Sequence, residues 1–438
     1  MARRVPREPV TAMIESLSPD GRGITHIDGK VVFVDGALAG EQVRLRYRRR
    51  KSRYDEAEML AVLQPSPQRV APRCPHFGVC GGCSLQHLAH EAQVEAKQRD
   101  LLDKLQRIGK TQPEEILPPL IGPVWGYRRK ARLGAKRVPK KGRVLVGFRE
   151  KRSPYLADMG QCPVLHPAVG EHLLELSELI GSLSRPDRLP QIEVALGDET
   201  GALVFRHLDP LTEADRQALA GFGQRHGLQI HLQPQGPDSV HPLWPQSPRP
   251  LSYRLPAFGL ELHFEPGDFT QVNAAINRQM VSRAVDLLQI DSSHRVLDLF
   301  CGLGNFTLPL ARRAAEVIGV EGEAGLVARA QANARRNGLD NCRFHVADLT
   351  TALGQAPWLG QVDRLLLDPP RSGALEIVQG LHKLQPQRMV YVSCDPATLA
   401  RDTEEIVHRQ GYRLLSAGIM DMFPHTAHVE SMAVFERC

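Results

Sequence analysis

Cys394 lies in Ser393-Cys394-Asp395-Pro396, directly after the apolar run Met389-Val390-Tyr391-Val392, and Glu430 lies in His428-Val429-Glu430-Ser431 near the end of the chain. Runs of that kind are typical of buried parallel strands, and open α/β sheets bind ligands at the carboxyl ends of their strands. A thiol placed there can act as a nucleophile, with a nearby carboxylate as base. If the acceptor is carbon 5 of a pyrimidine, the chemistry asks for such a thiolate. Carbon 5 of a pyrimidine is too weak a nucleophile to attack a methylsulfonium. Thiolate addition at C6 creates an enolate with carbanion character at C5. After methyl transfer a base removes the C5 proton, and the thiol is eliminated. The plainer readings are a buried structural cysteine, the commoner fate of that residue, and a solvated acid at a strand edge. Cys301 and Cys342 are assigned to the first of these, and Cys438 to a free terminal thiol.

A second set of residues suits a nucleoside-bearing methyl donor. Asp298-Leu299-Phe300-Cys301-Gly302-Leu303-Gly304-Asn305 follows an apolar run, and glycines 302 and 304 allow a ligand close to the backbone. A lone Gly-x-Gly says little. Glu321, 19 residues beyond Gly302, closes the next apolar run, where a carboxylate can accept two ribose hydroxyls. Asp348 follows the third run and could meet an adenine amino group. Thr307 stands where a dinucleotide fingerprint would have its third glycine. That weighs toward S-adenosylmethionine, which has no pyrophosphate. Acids can also merely cap helices, but three at three successive strand ends exceed that explanation.

Cys74, Cys80 and Cys83 are separated by five residues and then two, and Cys162 stands alone far downstream. No apolar signal segment opens the chain, which begins with polar and basic residues, so a cytoplasmic chain with reduced thiols is expected. Zinc ribbons usually bring two Cys-x-x-Cys knuckles; only Cys80 and Cys83 form one. The spacing favours an iron–sulfur cluster held by four thiolates and leaves zinc open.

The elements that must position these groups can be read coarsely. A chain of 438 residues should hold two to four domains. Residues 10–63 read as a small β-barrel with Asp-Gly turns, followed by a Pro-rich linker and the cysteine loop. Glu91–Ile108 reads as an amphipathic helix with Val94, Leu101, Leu102 and Leu105 on one face. Residues 124–265 mix strands and helices, with a strand at 144–148, a helix at 169–183 and a loop at 233–250. From Arg295 the pattern is doubly wound α/β. Residues 1–150 carry 29 Lys and Arg against 16 Asp and Glu, while the remainder is net acidic. Two basic runs, 44–53 and 128–152, interleave with Tyr47, Tyr54, Trp125, Tyr127 and Phe148. Phosphates attract the cations and unstacked bases the rings, so nucleic acid is the expected partner. No window approaches the roughly 18 apolar residues of a membrane helix.

Phe269-Thr270-Gln271-Val272-Asn273, the Asp298 loop, Asp368-Pro369-Pro370-Arg371, the Cys394 motif and His428-Val429-Glu430-Ser431 together, in this order, resemble the RNA uracil-C5 methyltransferases. With the cysteine set and the barrel, the resemblance covers essentially the whole chain and is to the bacterial branch acting on 23S ribosomal RNA at the uracil conventionally numbered 1939. The resemblance implies an S-adenosylmethionine-dependent Rossmann-like domain at 266–438, an OB-like TRAM barrel at 1–65, and an α+β central domain at 66–265. The helical part near 86–118 is expected to pack on the methyltransferase domain. The resemblance further implies Cys394 as nucleophile, Glu430 as base, S-adenosylmethionine contacts at Gln271, Phe300, Asn305, Glu321, Asp348 and Asp368, and a [4Fe-4S] cluster on Cys74, Cys80, Cys83 and Cys162. A monomer acting on 23S ribosomal RNA to form 5-methyluridine is the expectation. The competing readings are a ribosome-assembly factor with a redox-sensing cluster, and the same chemistry on transfer RNA or another ribosomal uracil.

Overall fold

The computed structural model describes residues 8–351, 356 and 358–438. The basic start of the chain at 1–7, part of the expected barrel domain, lies outside these residues. The chain divides into two compact units. One holds Met1–Asp100, Phe148–Ala157 and Phe423–His428; the other holds Leu101–Gly147, Asp158–Met422 and Val429–Cys438.

In the first unit a six-stranded sheet runs in the order Val10–Met13, Gln42–Arg50, Tyr54–Gln64, Lys30–Asp35, Gly23–Ile27, Ser16–Leu17. Strand alternation sets its two faces. Val43, Leu45 and Tyr47 join Ile14, Val32, Val34 and Ala57 in the core, while Arg44, Arg46 and Arg48 face out. The outer face is not a bare basic strip, because Arg46 and Arg48 share Glu58. The helix His90–Arg107 follows. Leu101 and Leu105 of the expected apolar stripe are fully buried, but the first turns of the helix also bury polar residues. Gln93 Nε2 donates to the carbonyls of Leu85 and Leu88, Gln93 Oε1 accepts from His425 N–H at 2.8 Å, and Lys97 Nζ reaches Phe423 O at 3.0 Å. Polar residues here bind backbone that would otherwise be unpaired.

The second unit has two large sheets. The first runs in the order His241–Trp244, Leu228–Gln233, Gly201–Arg206, Gln191–Leu196, Lys130–Val138, Arg143–Gly147. The helices Leu173–Ser182 and Glu213–His226 accompany it, the latter opened by a capping box between Thr212 and Asp215. Two expectations change. The 169–183 helix is instead a short helical turn, Pro167–Gly170, and then Leu173–Ser182; a Cβ at Gly170 would run into the Cys162 and Leu165 carbonyls, so only glycine fits there. The 233–250 loop contains the strand His241–Trp244, paired with 230–232. A proline in its middle hides this from sequence patterning, yet Pro242 is tolerated in a strand at the sheet edge.

The other sheet has eight strands in the order Cys342–Val346, Glu316–Glu321, Arg295–Leu299, Arg364–Leu367, Arg388–Ser393, Glu430–Arg437, Tyr412–Met420, Glu115–Ile116. The five strands from Cys342–Val346 to Arg388–Ser393 are parallel, and Glu430–Arg437 is antiparallel to both its neighbours. Strand order reverses beside Arg295–Leu299, where doubly wound sheets open a crevice. The sequence order of the strands therefore brings Phe300, Glu321, Asp368 and Cys394 to one edge of the sheet. Glu430 begins its antiparallel strand at that same edge.

Candidate active site

Phe300 turns the chain at φ +64°, an uncommon conformation for a side chain of its size. Gly302 follows at φ +54° with open space where a Cβ would stand, so a ligand can approach the backbone there. Gly302 N–H donates to Glu321 Oε2 at 3.1 Å, and the N–H groups of Gly322 and Glu323 donate to Oε1 at 2.7 and 3.2 Å. Three amides thus orient the Glu321 carboxylate, which suits a ribose diol. Beneath the loop, buried Asp298 accepts from Thr307 Oγ1, its other oxygen has no partner, and burial pushes its carboxyl up to about 8. Asp368 follows the neighbouring strand, its N–H 3.4 Å from Leu299 O, and burial lifts it to about 7.

Asn305 is held by two residues that the sequence did not reveal. Its amide exchanges two hydrogen bonds of 3.0 Å with Asn277, and its Oδ1 accepts from Tyr253 Oη at 2.9 Å. Gln271, Tyr253, Asn277 and Arg278 line one cavity. Tyr253 lies 52 residues before Asn305 on a two-stranded ribbon, and no local pattern connects them. Tyr253→Phe should weaken S-adenosylmethionine binding several-fold, since one neutral hydrogen bond is worth about 1 kcal/mol. Calorimetry measures this, and unchanged affinity would remove Tyr253 from the positioning role. Asp348 is exposed and accepts from Thr350 N–H and Oγ1 at 2.9 and 2.6 Å, which holds its carboxyl below the ordinary range. Both bonds fall on Oδ1, which serves its own turn, while Oδ2 lies outside them.

The catalytic candidates meet through strand register. Ser393 pairs with Ser431 in the antiparallel ladder, and Ser431 Oγ donates to Ser393 O at 3.3 Å. Cys394 directly follows the last residue of one strand and Glu430 directly precedes Ser431 on the other, which brings the two within electrostatic reach of each other. Asp395 caps the helix Pro396–His408 through Ala397 N–H at 2.9 Å, fixing the turn that carries Cys394. Burial and then the Glu430 charge push the Cys394 thiol up to about 11, against the pull of Arg371. Burial and then Asp368 push Glu430 up to about 8, again opposed by Arg371. Three acids crowd one another, and Arg371 supplies the opposing charge. The group therefore retains protons near neutrality.

The cysteines divide between the units. None of the eight is joined in a disulfide among the described residues. In the first unit Cys74 and Cys80 are buried and Cys83 half-buried. Gly78 turns the loop at φ +89°, Cys74 N–H donates to Gln86 Oε1 at 3.1 Å, and Gly82 N–H points at Cys80 Sγ at 3.4 Å. An amide directed at sulfur stabilises a thiolate. His87 packs on Phe77 of this loop, with both ring nitrogens buried and unpartnered, and burial lowers it to about 4. An unmet imidazole N–H beside the loop fits an interior holding a further acceptor. In the second unit Cys162 is buried, its N–H donating to Gly170 O at 2.8 Å.

Comparison with known proteins adds to this geometry. Residues 254–438 match the family model tRNA (Uracil-5-)-methyltransferase, and residues 3–60 match the TRAM domain. The chain is 61% identical over 436 residues to the 23S rRNA (uracil(1939)-C(5))-methyltransferase RlmD of Alkalilimnicola ehrlichii, covering 99% of this chain and 98% of that protein. It is 58% identical over 439 residues to the protein of the same name from Nitrosococcus oceani, covering 98% and 97%. The crystal structure of Pyrococcus abyssi tRNA (uracil-54, C5)-methyltransferase in complex with S-adenosyl-L-homocysteine matches with a TM-score of 0.74 at 25% identity, covering 97% of this chain and all of that one.

Proposed function

This chain belongs to the bacterial 23S ribosomal RNA uracil-C5 methyltransferases, and from that premise we propose how its residues divide the work. The activity is S-adenosylmethionine-dependent methylation of uracil C5 in 23S ribosomal RNA. The Ser393–Ser431 pairing that brings Cys394 and Glu430 into electrostatic reach, at the edge that also carries Phe300, Glu321 and Asp368, is the observation that supports this division of roles.

Gln271, Phe300, Asn305, Glu321, Asp348 and Asp368 hold the donor, which supplies an electrophilic methyl group on a positively charged sulfur. Cys394 adds to C6 of the flipped uracil, and the C5 carbanion so formed accepts the methyl group. Glu430 takes the C5 proton, and the resulting enolate expels the Cys394 sulfur as a thiolate as the C6–S bond breaks, releasing 5-methyluridine. Because burial and the crowded acids keep both Cys394 and Glu430 protonated near neutrality in the free protein, both protons pass to solvent as the substrate binds, leaving a thiolate nucleophile and a carboxylate base. Arg371 is the nearby cation that favours the thiolate.

Cys74, Cys80, Cys83 and Cys162 are proposed as the ligands of a [4Fe-4S] cluster, supported by the reduced, mostly buried thiols and the Gly82 amide aimed at Cys80. When bound, the cluster supplies a structural link, since methyl transfer involves no net redox change. The proposed domains are 1–65, 66–265 and 266–438. The proposed enzyme is a cytoplasmic monomer; no helix among the described residues is long and apolar enough to cross a membrane.

Mass-spectrometric mapping of RNA from a strain lacking this gene tests the assignment. Methylation should disappear at the uracil corresponding to 1939 of 23S ribosomal RNA and persist in transfer RNA. Loss in transfer RNA, or at a different ribosomal uracil, would move the target. Intact methylation would leave an assembly role.

A further inference from the structure

Two helices of the central sheet end in residues that methylation does not use. His172 precedes the helix Leu173–Ser182, Glu175 stands in its first turn, and His226 is the last residue of the helix Glu213–His226. Glu175 Oε2 lies 2.8 Å from His226 Nε2 and 3.7 Å from His172 Nδ1. One donor atom from each residue falls within 4.8 Å of the other two. The two imidazole rings are 4.2 Å apart, centroid to centroid. Arg225 takes the other carboxylate oxygen, Oε1, at 3.0 Å.

An interhelical ion pair accounts for Arg225 and Glu175, and ring contacts seat the imidazoles, His226 against Phe222 and His172 against His226, with a nitrogen of each turned toward the same carboxylate. His172 is too far from Oε2 for a hydrogen bond and makes no cap to its own helix. His226 Nε2, although close to Oε2, is buried and makes no hydrogen bond of acceptable direction. Donors sharing one tetrahedral ion at bond lengths near 2.0–2.1 Å stand about 3.3 Å apart, a value that the two observed distances bracket. We propose that His172, Glu175 and His226 form a three-ligand site for a divalent cation of zinc type, with water completing its coordination. Two imidazoles and one carboxylate select such an ion over magnesium or calcium, which prefer oxygen donors throughout. Arg225 then orients the ligating carboxylate from behind. The three side chains are 33%, 35% and 15% exposed, so an ion can enter from solvent. Bound there, it would tie the start of one helix to the end of the other.

The test uses the tag-free holoenzyme and cobalt(II) as the probe, because cobalt bound to nitrogen and oxygen lacks the thiolate charge-transfer band that cysteine ligation would give. Wild-type protein should bind one equivalent of cobalt without that band, and its Tm should rise with added metal. His226→Ala and His172→Ala should each weaken binding at least tenfold and abolish the Tm rise, with circular dichroism and methylation unchanged. Equal isotherms in all three proteins, or a spectrum showing only thiolate ligation, would overturn the site.

Discussion

Cys394→Ala is expected to lose methylation of 23S ribosomal RNA by a factor on the order of 10⁴ or more, because the uncatalysed alternative asks a neutral C5 to attack the donor directly. S-adenosylmethionine affinity should be unaffected, since Cys394 stands outside the Gln271, Asn305 and Glu321 group. RNA containing 5-fluorouracil sharpens the result. Fluorine cannot leave C5 as a proton, so wild-type protein should be trapped as a complex that survives denaturing electrophoresis, whereas Cys394→Ala should give none. A trapped complex of wild-type intensity in the variant would place the nucleophile elsewhere. The raised thiol adds a pH signature. With Cys394 pushed up to about 11, the thiolate fraction of the free protein grows about tenfold per pH unit in the neutral range, so the rate of trapping should rise steeply with pH.

How far the sequence anticipates this site depends on the range of the interaction. Strand ends were legible because buried parallel strands are continuous apolar runs, and Phe300, Glu321, Asp368 and Cys394 each follow one directly. Glu430 was legible only as a motif. Its nearness to Cys394 comes from the antiparallel pairing of 388–393 with 431–436, and pairing partners leave no trace in local periodicity. Tyr253 and Asn277 were invisible for the same reason, since their shared target Asn305 is remote in sequence. The His90–Arg107 helix shows a different limit. A periodicity argument looks for apolar stripes, whereas Gln93 and Lys97 are buried here because the 423–428 segment brings backbone groups that need partners. Asp348 was placed by its position after the third strand, but its two bonds to Thr350 were not foreseeable from that position.

Glu430→Gln separates the two halves of the reaction. Cys394 can still add and the methyl group can still transfer, but the C5 proton has no acceptor. Single-turnover methyl incorporation should persist, multiple turnover should fall about 10²–10⁴-fold, and the covalent RNA complex should accumulate without fluorouracil. Normal turnover in the variant would remove Glu430 as the base. The same substitution should change stability with a definite sign. Burial and Asp368 raise Glu430 from 4.5 to about 8, so the folded protein holds a proton that the unfolded chain releases. Its contribution is most favourable below about pH 4.5 and is lost as pH rises through 8. Glutamine does not titrate, so wild type should lose stability relative to the variant between pH 5 and 8.5, by at most about 5 kcal/mol for a shift of this size and less where the neighbouring acids share the proton. Thermal unfolding of the two proteins across that range measures it, and parallel Tm curves would contradict a raised Glu430. Activity supplies the independent check. The wild-type pH profile should carry an inflection near 8 from Glu430, which the variant's residual turnover should lack, while Asp368, raised to about 7, leaves its own inflection in both. The burial that makes Glu430 a base strong enough to take a carbon-bound proton is therefore the same burial that makes it costly to keep ionised in the empty site.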